Sequence, residues 1–205
     1  MKFGVLGVVL TASLMSAQPA FAIFNVQVMG GQRSSEFDVQ GAGSDFDKSG
    51  SELRLAAHLD PIPLVPISFG LSFAQTTFDD INFDPALTVP VTGKIDGTDI
   101  DLEIEAWLPL DIAGLLPFAK LAYTAAGDYK TSIDGSDTKI KYKPSGLNLS
   151  VGVKYEFLLR LGILAQVEFG NRSLKFDESE NAGGATFQDV NQSSTSFLIG
   201  AQAGI

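Results

Sequence analysis

The 205-residue chain carries 14 basic and 24 acidic residues, for a net charge of −10, and has no cysteine. An acidic balance argues against nucleic acid as a partner, because phosphate binding needs clustered Lys or Arg. Without disulfides, an exported chain must draw its stability from backbone pairing and burial alone.

Export is what the first residues indicate. Met1-Lys2 is a short basic start, Phe3 to Met15 is apolar apart from small residues, and Ser16 to Ala22 ends in Ala20-Phe21-Ala22. Basic, apolar and small-residue regions in that order describe a secretory signal peptide over residues 1–22 with an A-x-A cleavage site. The apolar run is shorter than the ~20 residues a spanning helix needs. Residues 23–205 are then a single mature domain. Once Lys2 is removed, 13 basic residues face 24 acidic ones. No later apolar run is long enough for a transmembrane helix, so any crossing of a membrane is made with strands.

Eight alternating segments come next in chain order. They are Phe24 to Gly30, Glu52 to Leu59, Ile67 to Phe73, Ile100 to Glu105, Ala119 to Tyr123, Leu147 to Phe157, Ile163 to Phe169 and Phe197 to Ile205. Period two over such lengths predicts strands with one apolar and one polar face. The connections Asp60 to Pro66, Pro109 to Pro117 and Leu158 to Arg160 are short. The connections Ser34 to Ser51, Thr76 to Thr98, Ala126 to Ser145 and Asn171 to Ser193 are long and polar. Short turns at one end and long loops at the other predict an up-and-down meander with periplasmic and extracellular ends. Two near-copies, Ile95-Asp96-Gly97-Thr98-Asp99 and Ile133-Asp134-Gly135-Ser136-Asp137, carry a hairpin-turn signal.

Which face points inward is decided by the polar one. Ser68, Gly70, Ser72 and Ala74 on the third segment, and Asn148, Ser150, Gly152, Lys154 and Glu156 on the sixth, are small residues with a few charges. Such a set fits the narrow interior of an eight-stranded cylinder, which side chains about fill. The bulky Leu, Ile, Val and Phe positions then face lipid. The expected fold is all-β, an eight-stranded antiparallel up-and-down transmembrane β-barrel.

With its signal peptide, eight ten-residue segments, short turns and acidic loops, the chain resembles the small bacterial outer-membrane barrels of the OmpA, OmpX and OmpW type. That resemblance is architectural and covers the whole mature chain. It implies the bacterial outer membrane, contact with outer-membrane lipids and insertion by the barrel-assembly machinery. The chain ends in Ile205 where members of that group usually carry an aromatic residue.

The expected interior holds Glu52, Arg54, His58, Asp101, Glu103, Glu105, Lys120, Lys154, Glu156, Gln166 and Glu168. Buried charges must pair, so these predict a salt-bridged plug, with a narrow charge-lined conduit as the alternative. Lys120 is expected beside Glu103 or Glu105, and Lys154 within reach of Glu168. A single histidine, His58, has no serine two residues away, so no catalytic site and no cofactor are expected. The carboxylates Asp79, Asp80, Asp84, Asp96 and Asp99 match no EF-hand spacing, and no metal is expected. On the outward face, small residues at Gly30, Ala165, Ala201 and Ala203 form a strip that suits close packing of another barrel, and hence a homo-oligomer. The turns Pro61 to Pro66, Leu110 to Pro117 and Phe157 to Leu161 are more apolar than a wet turn requires. The expected function is a non-enzymatic barrel that is structural, membrane-organising or lipid-interacting, with a pore or surface recognition by the long loops as alternatives.

Overall fold

The structure is a computed structural model that describes residues 24–39, 45–60, 66–82, 92–108, 114–158, 161–180 and 187–204. The signal segment 1–22, Ile205, Asp84 and most of the apolar turns lie outside the described residues. Eight strands run in chain order: β1 (Phe24–Val39), β2 (Asp45–Leu59), β3 (Ile67–Asn82), β4 (Thr92–Trp107), β5 (Leu115–Ile133), β6 (Lys139–Leu158), β7 (Leu161–Glu180) and β8 (Val190–Gly204). Each pairs antiparallel with its neighbours, and β1 pairs with β8, so the sheet closes into a barrel. Closure leaves no unpaired strand edge, which is the condition for crossing lipid with strands.

The strands are 15 to 20 residues long, well beyond the ten-residue alternations. Most of what reads as long loop is therefore barrel wall. The lower part of the wall carries the lipid face. Leu53, Leu71, Leu102, Leu147 and Ile163 point outward and are about half exposed. Phe73, Tyr123, Phe169 and Phe197, on four different strands, mark the upper limit of this belt, as aromatic girdles do at membrane interfaces. The next outward positions turn polar: Gln32 follows Gly30, Ser51 precedes Leu53, Gln75 follows Phe73 and Asn171 follows Phe169.

Above the belt the inner wall changes character as well. Phe37, Phe78, Ile95, Tyr129, Leu174 and Val190 face inward and form a buried cluster, with Val39, Phe46 and Tyr142 packed against it. The strands thus exchange the chemistry of their two faces; on β5 the inward phase also shifts, from Lys120, Ala122 and Thr124 below to Tyr129 and Thr131 above. A second inner cluster, Met29, Ala56, Phe118, Leu164 and Leu198 with Trp107, lies toward the periplasmic end.

Large inward side chains lie over glycines on the paired strand. A Cβ at Gly97 would come 2.7 Å from the Tyr129 ring, one at Gly70 2.3 Å from His58, one at Gly152 2.5 Å from Phe118 and one at Gly200 2.6 Å from Met29. In each case the glycine is the register partner of the side chain that covers it. The turn expected at Asp96-Gly97 is accordingly absent. That dipeptide lies inside β4, where the missing Cβ makes room for a ring. Its near-copy is a turn: Gly135 has φ 72°, and Ser136 N–H donates to Ile133 O at 3.2 Å. The left-handed conformation suits glycine, so the same dipeptide serves two different needs.

Candidate functional site: the charged lumen

Between the two apolar clusters lies a layer of buried charge. Its centre is Arg33 on β1 and Arg54 on β2, both with no exposed surface. Arg33 Nε donates to Glu52 Oε2 at 2.9 Å, and its Nη1 donates to Asp99 Oδ2 at 3.1 Å and to the Tyr129 hydroxyl at 3.0 Å. Arg54 Nη2 donates to Glu52 Oε1 at 2.8 Å and to Glu168 Oε1 at 2.6 Å, while its Nη1 bonds Glu168 Oε2. Glu52 thus bridges both guanidinium groups. Arg172 on β7 comes within 3.5 Å of Asp99 and 3.7 Å of Glu168.

Below this centre, Glu103 accepts from Ser72 Oγ at 2.7 Å, pairs with Lys120 at 3.3 Å and lies 2.8 Å from His58 Nε2. Ser150 donates to Glu168 and Ser196 to Glu52. Every strand therefore contributes at least one side chain. Closer to the periplasm, Lys154 pairs with Glu105 and lies over the Phe118 ring, 5.1 Å from its centroid. Each charge in this layer is desolvated, and only the partner charges and hydroxyls offset that cost.

On every strand that supplies both, the order along the chain is the same. Phe37 lies beyond Arg33 toward the extracellular end and Met29 lies on the periplasmic side; Leu174 and Leu164 flank Arg172 and Glu168 likewise. Apolar residues lie above and below the Arg33, Glu52, Arg54 and Glu168 centre, while Lys154 and Glu105 sit on the periplasmic side, beside Phe118. Among the described residues, six carboxylates (Glu52, Asp99, Asp101, Glu103, Glu105, Glu168) and five lysines and arginines (Arg33, Arg54, Lys120, Lys154, Arg172) are buried there. The lumen is therefore close to neutral although the chain is acidic.

A match over residues 5–203 decides the lineage: this stretch matches the outer membrane protein beta-barrel domain family. The chain belongs to that family. No curated protein matches it. Among solved structures, the Neisserial surface protein A is similar with a TM-score of 0.59 at 15% identity, over 89% of this chain and 97% of that one. OprG of Pseudomonas aeruginosa gives 0.50 at 12% identity, over 88% and 95%, and a major outer membrane protein of Thermus thermophilus gives 0.50 at 13%, over 89% and 99%. At such identities the likeness carries the fold. Family and fold together put this barrel in the bacterial outer membrane.

Several sequence expectations need correction within this barrel. Lys154 does not reach Glu168. Its register neighbours are Leu116 and Leu164, whereas Glu168 faces Ser150, two pleat repeats further up. Glu156 has the inward parity but is exposed at the periplasmic rim, where Gln202 Nε2 donates to it at 2.9 Å. Asp101 is buried between Ser72 and Thr124 on the adjoining strands, and Gln166 between Gly152 and Leu198. Asp96 and Asp99 belong to β4, not to a loop. Asp96 points outward and pairs with Lys94 at 3.2 Å, and Asp79 lies 4.0 Å from the same lysine. Among the described residues no cluster has the donors for a metal ion.

His58 touches both a carboxylate and, through it, a serine. The order is wrong for nucleophilic catalysis: Ser72 donates to Glu103, not to the imidazole, and all three are almost fully buried. A serine nucleophile needs the histidine next to it as base.

The small-residue strip also differs from a smooth surface. In register, Ile199 stands between Ala165 and Gly30, Ala201 between Ile163 and Val28, and Ala203 between Leu161 and Val26. Ile199, Ile163 and Val28 are each half exposed or more. The outer face of β7–β8–β1 is thus corrugated, with a ridge at Ile199 and, below it, a groove along Ala201 and Ala203 one side chain wide.

Proposed function

We propose that the protein is a non-enzymatic, non-conducting structural barrel of the outer membrane whose work is done on its outer surface, toward lipid and toward other barrels. The observation that carries this reading is the lumen: a charge layer tied to all eight strands, bounded by apolar clusters on both sides. Ions entering from either end would have to cross buried Phe and Leu side chains before reaching the central layer of Arg33, Arg54, Glu52 and Glu168. Planar-bilayer recording tests it. Protein that shows the SDS-resistant, heat-modifiable mobility of a folded barrel is expected to add no single-channel steps. Reproducible steps from such a preparation would replace the plug with the charge-lined pore.

Self-association is the second part of the reading, and the corrugated β7–β8–β1 face supports it. Apolar association inside lipid gains little from hydrophobicity, so fit must supply the attraction, as between transmembrane helices. The Ala201–Ala203 groove of one barrel would form one side of the contact and a different face of the next barrel the other. Such heterologous contacts build rings when the rotation closes, and a ring of barrels encloses lipid. Ala201→Trp with Ala203→Trp is expected to yield monomers of unchanged gel mobility in mild detergent. A wild-type protein that is monomeric in several detergents and in nanodiscs would remove this part.

A further inference from the structure

The sector of the outer wall formed by β8, β1, β2 and β3 changes from apolar to polar within one step of each strand, and the positions just above the belt are uncharged. Thr195, Gln32, Ser51 and Gln75 are the first polar outward residues, and Ser193, Ser34 and Ser49 continue three of these columns. They form a connected band, since Gln32 is the register partner of Ser51 and Ser34 of both Thr195 and Ser49. Among the described residues, no side chain in the barrel engages the Gln32, Ser51, Gln75 or Thr195 side chains. Their hydroxyls and amides are free to bond what lies beside them.

The next positions outward are acidic. Glu36 and Asp47 face each other in register, and Asp38 follows on β1. Like charges directly opposite are unfavourable in a sheet, and a bound phosphate would add to the repulsion. The wall's outward lysines lie elsewhere: Lys94 is on β4, held by Asp96 at 3.2 Å, and Lys130, Lys139, Lys141, Lys143 and Lys175 are on β5, β6 and β7; Lys143 pairs with Asp177 at 2.8 Å and Lys141 with Glu178 at 3.3 Å. The extracellular connections 40–44, 83–91 and 181–186 contain no Lys or Arg. Lys48, the basic residue of β2 in this region, has the inward parity of Glu52 and Arg54.

We propose that this collar is a binding surface for the sugar headgroups of outer-leaflet lipids, selecting hydroxyl-rich heads over phosphate-bearing ones. It rests on the lipid-facing role proposed above and names the class of lipid. The band lies directly against the upper edge of the acyl belt, where a headgroup must sit if its chains pack on Val28, Leu53 and Phe73. Neutral hydroxyl and amide groups exchange hydrogen bonds with sugar hydroxyls without needing charge, so binding should hardly respond to salt, in contrast to a lysine–phosphate contact. The acidic row above supplies the discrimination, because it penalises a phosphate and leaves a hydroxyl untouched.

The test uses the full mature chain in phosphatidylcholine nanodiscs containing equal small amounts of a monoglycosyl diacylglycerol and a diphosphorylated lipid A. Lipid retained after detergent exchange is measured by mass spectrometry. The expected result is ~3-fold or greater retention of the sugar-headed lipid over lipid A, the scale of one or two net hydrogen bonds, unchanged between low and high salt. The variant Gln32→Leu/Ser51→Ala/Gln75→Leu, which alters only outward positions, should lose that preference while keeping the folded mobility. Ser51→Lys/Gln75→Lys should gain lipid A in a salt-sensitive manner. Equal retention of the two lipids overturns the proposal, as does preferential lipid A. So does lipid A held with magnesium and released by chelator, which would make Glu36, Asp38 and Asp47 a cation bridge to phosphate. Conductance measured on the same preparation stays independent of all these outcomes, so failure here leaves the sealed-lumen reading standing.

Discussion

The lower and upper halves of this barrel are built from the same eight strands, with the phase of β5 shifted between Thr124 and Tyr129, yet they are inside-out relative to each other. In the lower half, Leu53, Phe69 and Ile163 face out while Arg54, Glu103 and Glu168 face in. In the upper half, Lys143, Asp38 and Ser49 face out while Phe37, Phe78 and Leu174 face in. The backbone is indifferent to this exchange, because its hydrogen bonds are made within the closed sheet in either case. Only the surrounding solvent differs. Against acyl chains the apolar face gains nothing by turning inward, and the lumen can be given to ion pairs. Against water the ordinary hydrophobic effect returns and fills the interior with rings and aliphatic side chains.

Halves built on opposite solvents should fail differently. The largest loss is expected in the lower one. Glu168→Ala removes the carboxylate that bonds Arg54 through both oxygens and lies near Arg33 and Arg172. A guanidinium left buried without its partner costs ~3–5 kcal/mol, read as a lower urea midpoint for the refolded barrel. A loss below ~1 kcal/mol would mean that the lumen is hydrated like a surface and that the contrast is overdrawn. Replacing the whole group with apolar residues of similar volume should be far milder than removing one member.

The upper half should behave as the core of a soluble protein. Phe37 stacks on Phe46 at 5.0 Å and meets Phe78 edge-on at 5.5 Å. Phe37→Ala is expected to cost roughly 3 kcal/mol through lost burial and a residual cavity. The damage should fall on the extracellular wall, so limited proteolysis from outside should cut this variant sooner while the lower barrel stays SDS-resistant. Equal loss of SDS resistance would show that the halves unfold as one unit.

Eight alternations and the unequal connections are enough for the topology, because lipid exposure gives the lower strands an uninterrupted period of two. The upper strands are harder to see for a physical reason. Where the outward residues cease to be apolar, at Gln32 or Asn171, a reader following the apolar face sees the strand end. The period continues on the other face through Phe37, Ile95 and Leu174, and on β5 it resumes at Tyr129 after a register shift. A search for that inverted phase extends β1 and β7 and recovers Arg33 and Arg172, lumen residues that sit at or past the apparent strand ends. The sequence alone pairs Lys154 with the wrong carboxylate because register and the upward stagger of neighbouring strands are set by closure, which no single segment encodes.

Smaller effects distinguish the two uses of Asp-Gly. Gly97→Val places a side chain where the Tyr129 ring lies, an overpacking of ~1–3 kcal/mol. Gly135→Val strains a turn held at φ 72° by a comparable amount. Adding Tyr129→Ala should recover part of the loss at Gly97 and nothing at Gly135. Rescue of both would mean that the ring, not the backbone, limits the turn.

The smallest effect belongs to the ion pairs on the upper outer wall. Lys143 donates to Asp177 at 2.8 Å, and that hydrogen bond holds the Asp177 carboxyl below its ordinary range. A hydrogen bond to Glu178 and the charge of Asp128 raise Lys141 above the ordinary lysine value. A depressed carboxylate contributes stability above its unfolded pKa and loses it as pH falls through the lower folded value, so the Asp177 contribution fades only below about pH 4. A raised lysine contributes fully below its unfolded pKa and loses it as pH rises through the higher folded value, so the Lys141 contribution fades only above about pH 10. Between those limits the outer pairs should add no slope to stability, and salt should weaken them because they stand in water. Urea midpoints for wild type and Lys143→Met/Asp177→Leu should therefore run parallel from about pH 5 to about pH 9 and converge only below about pH 4. A difference that opens within the neutral range would show that these pairs are coupled to a group titrating there, and would move the upper wall from passive scaffold to pH-responsive surface.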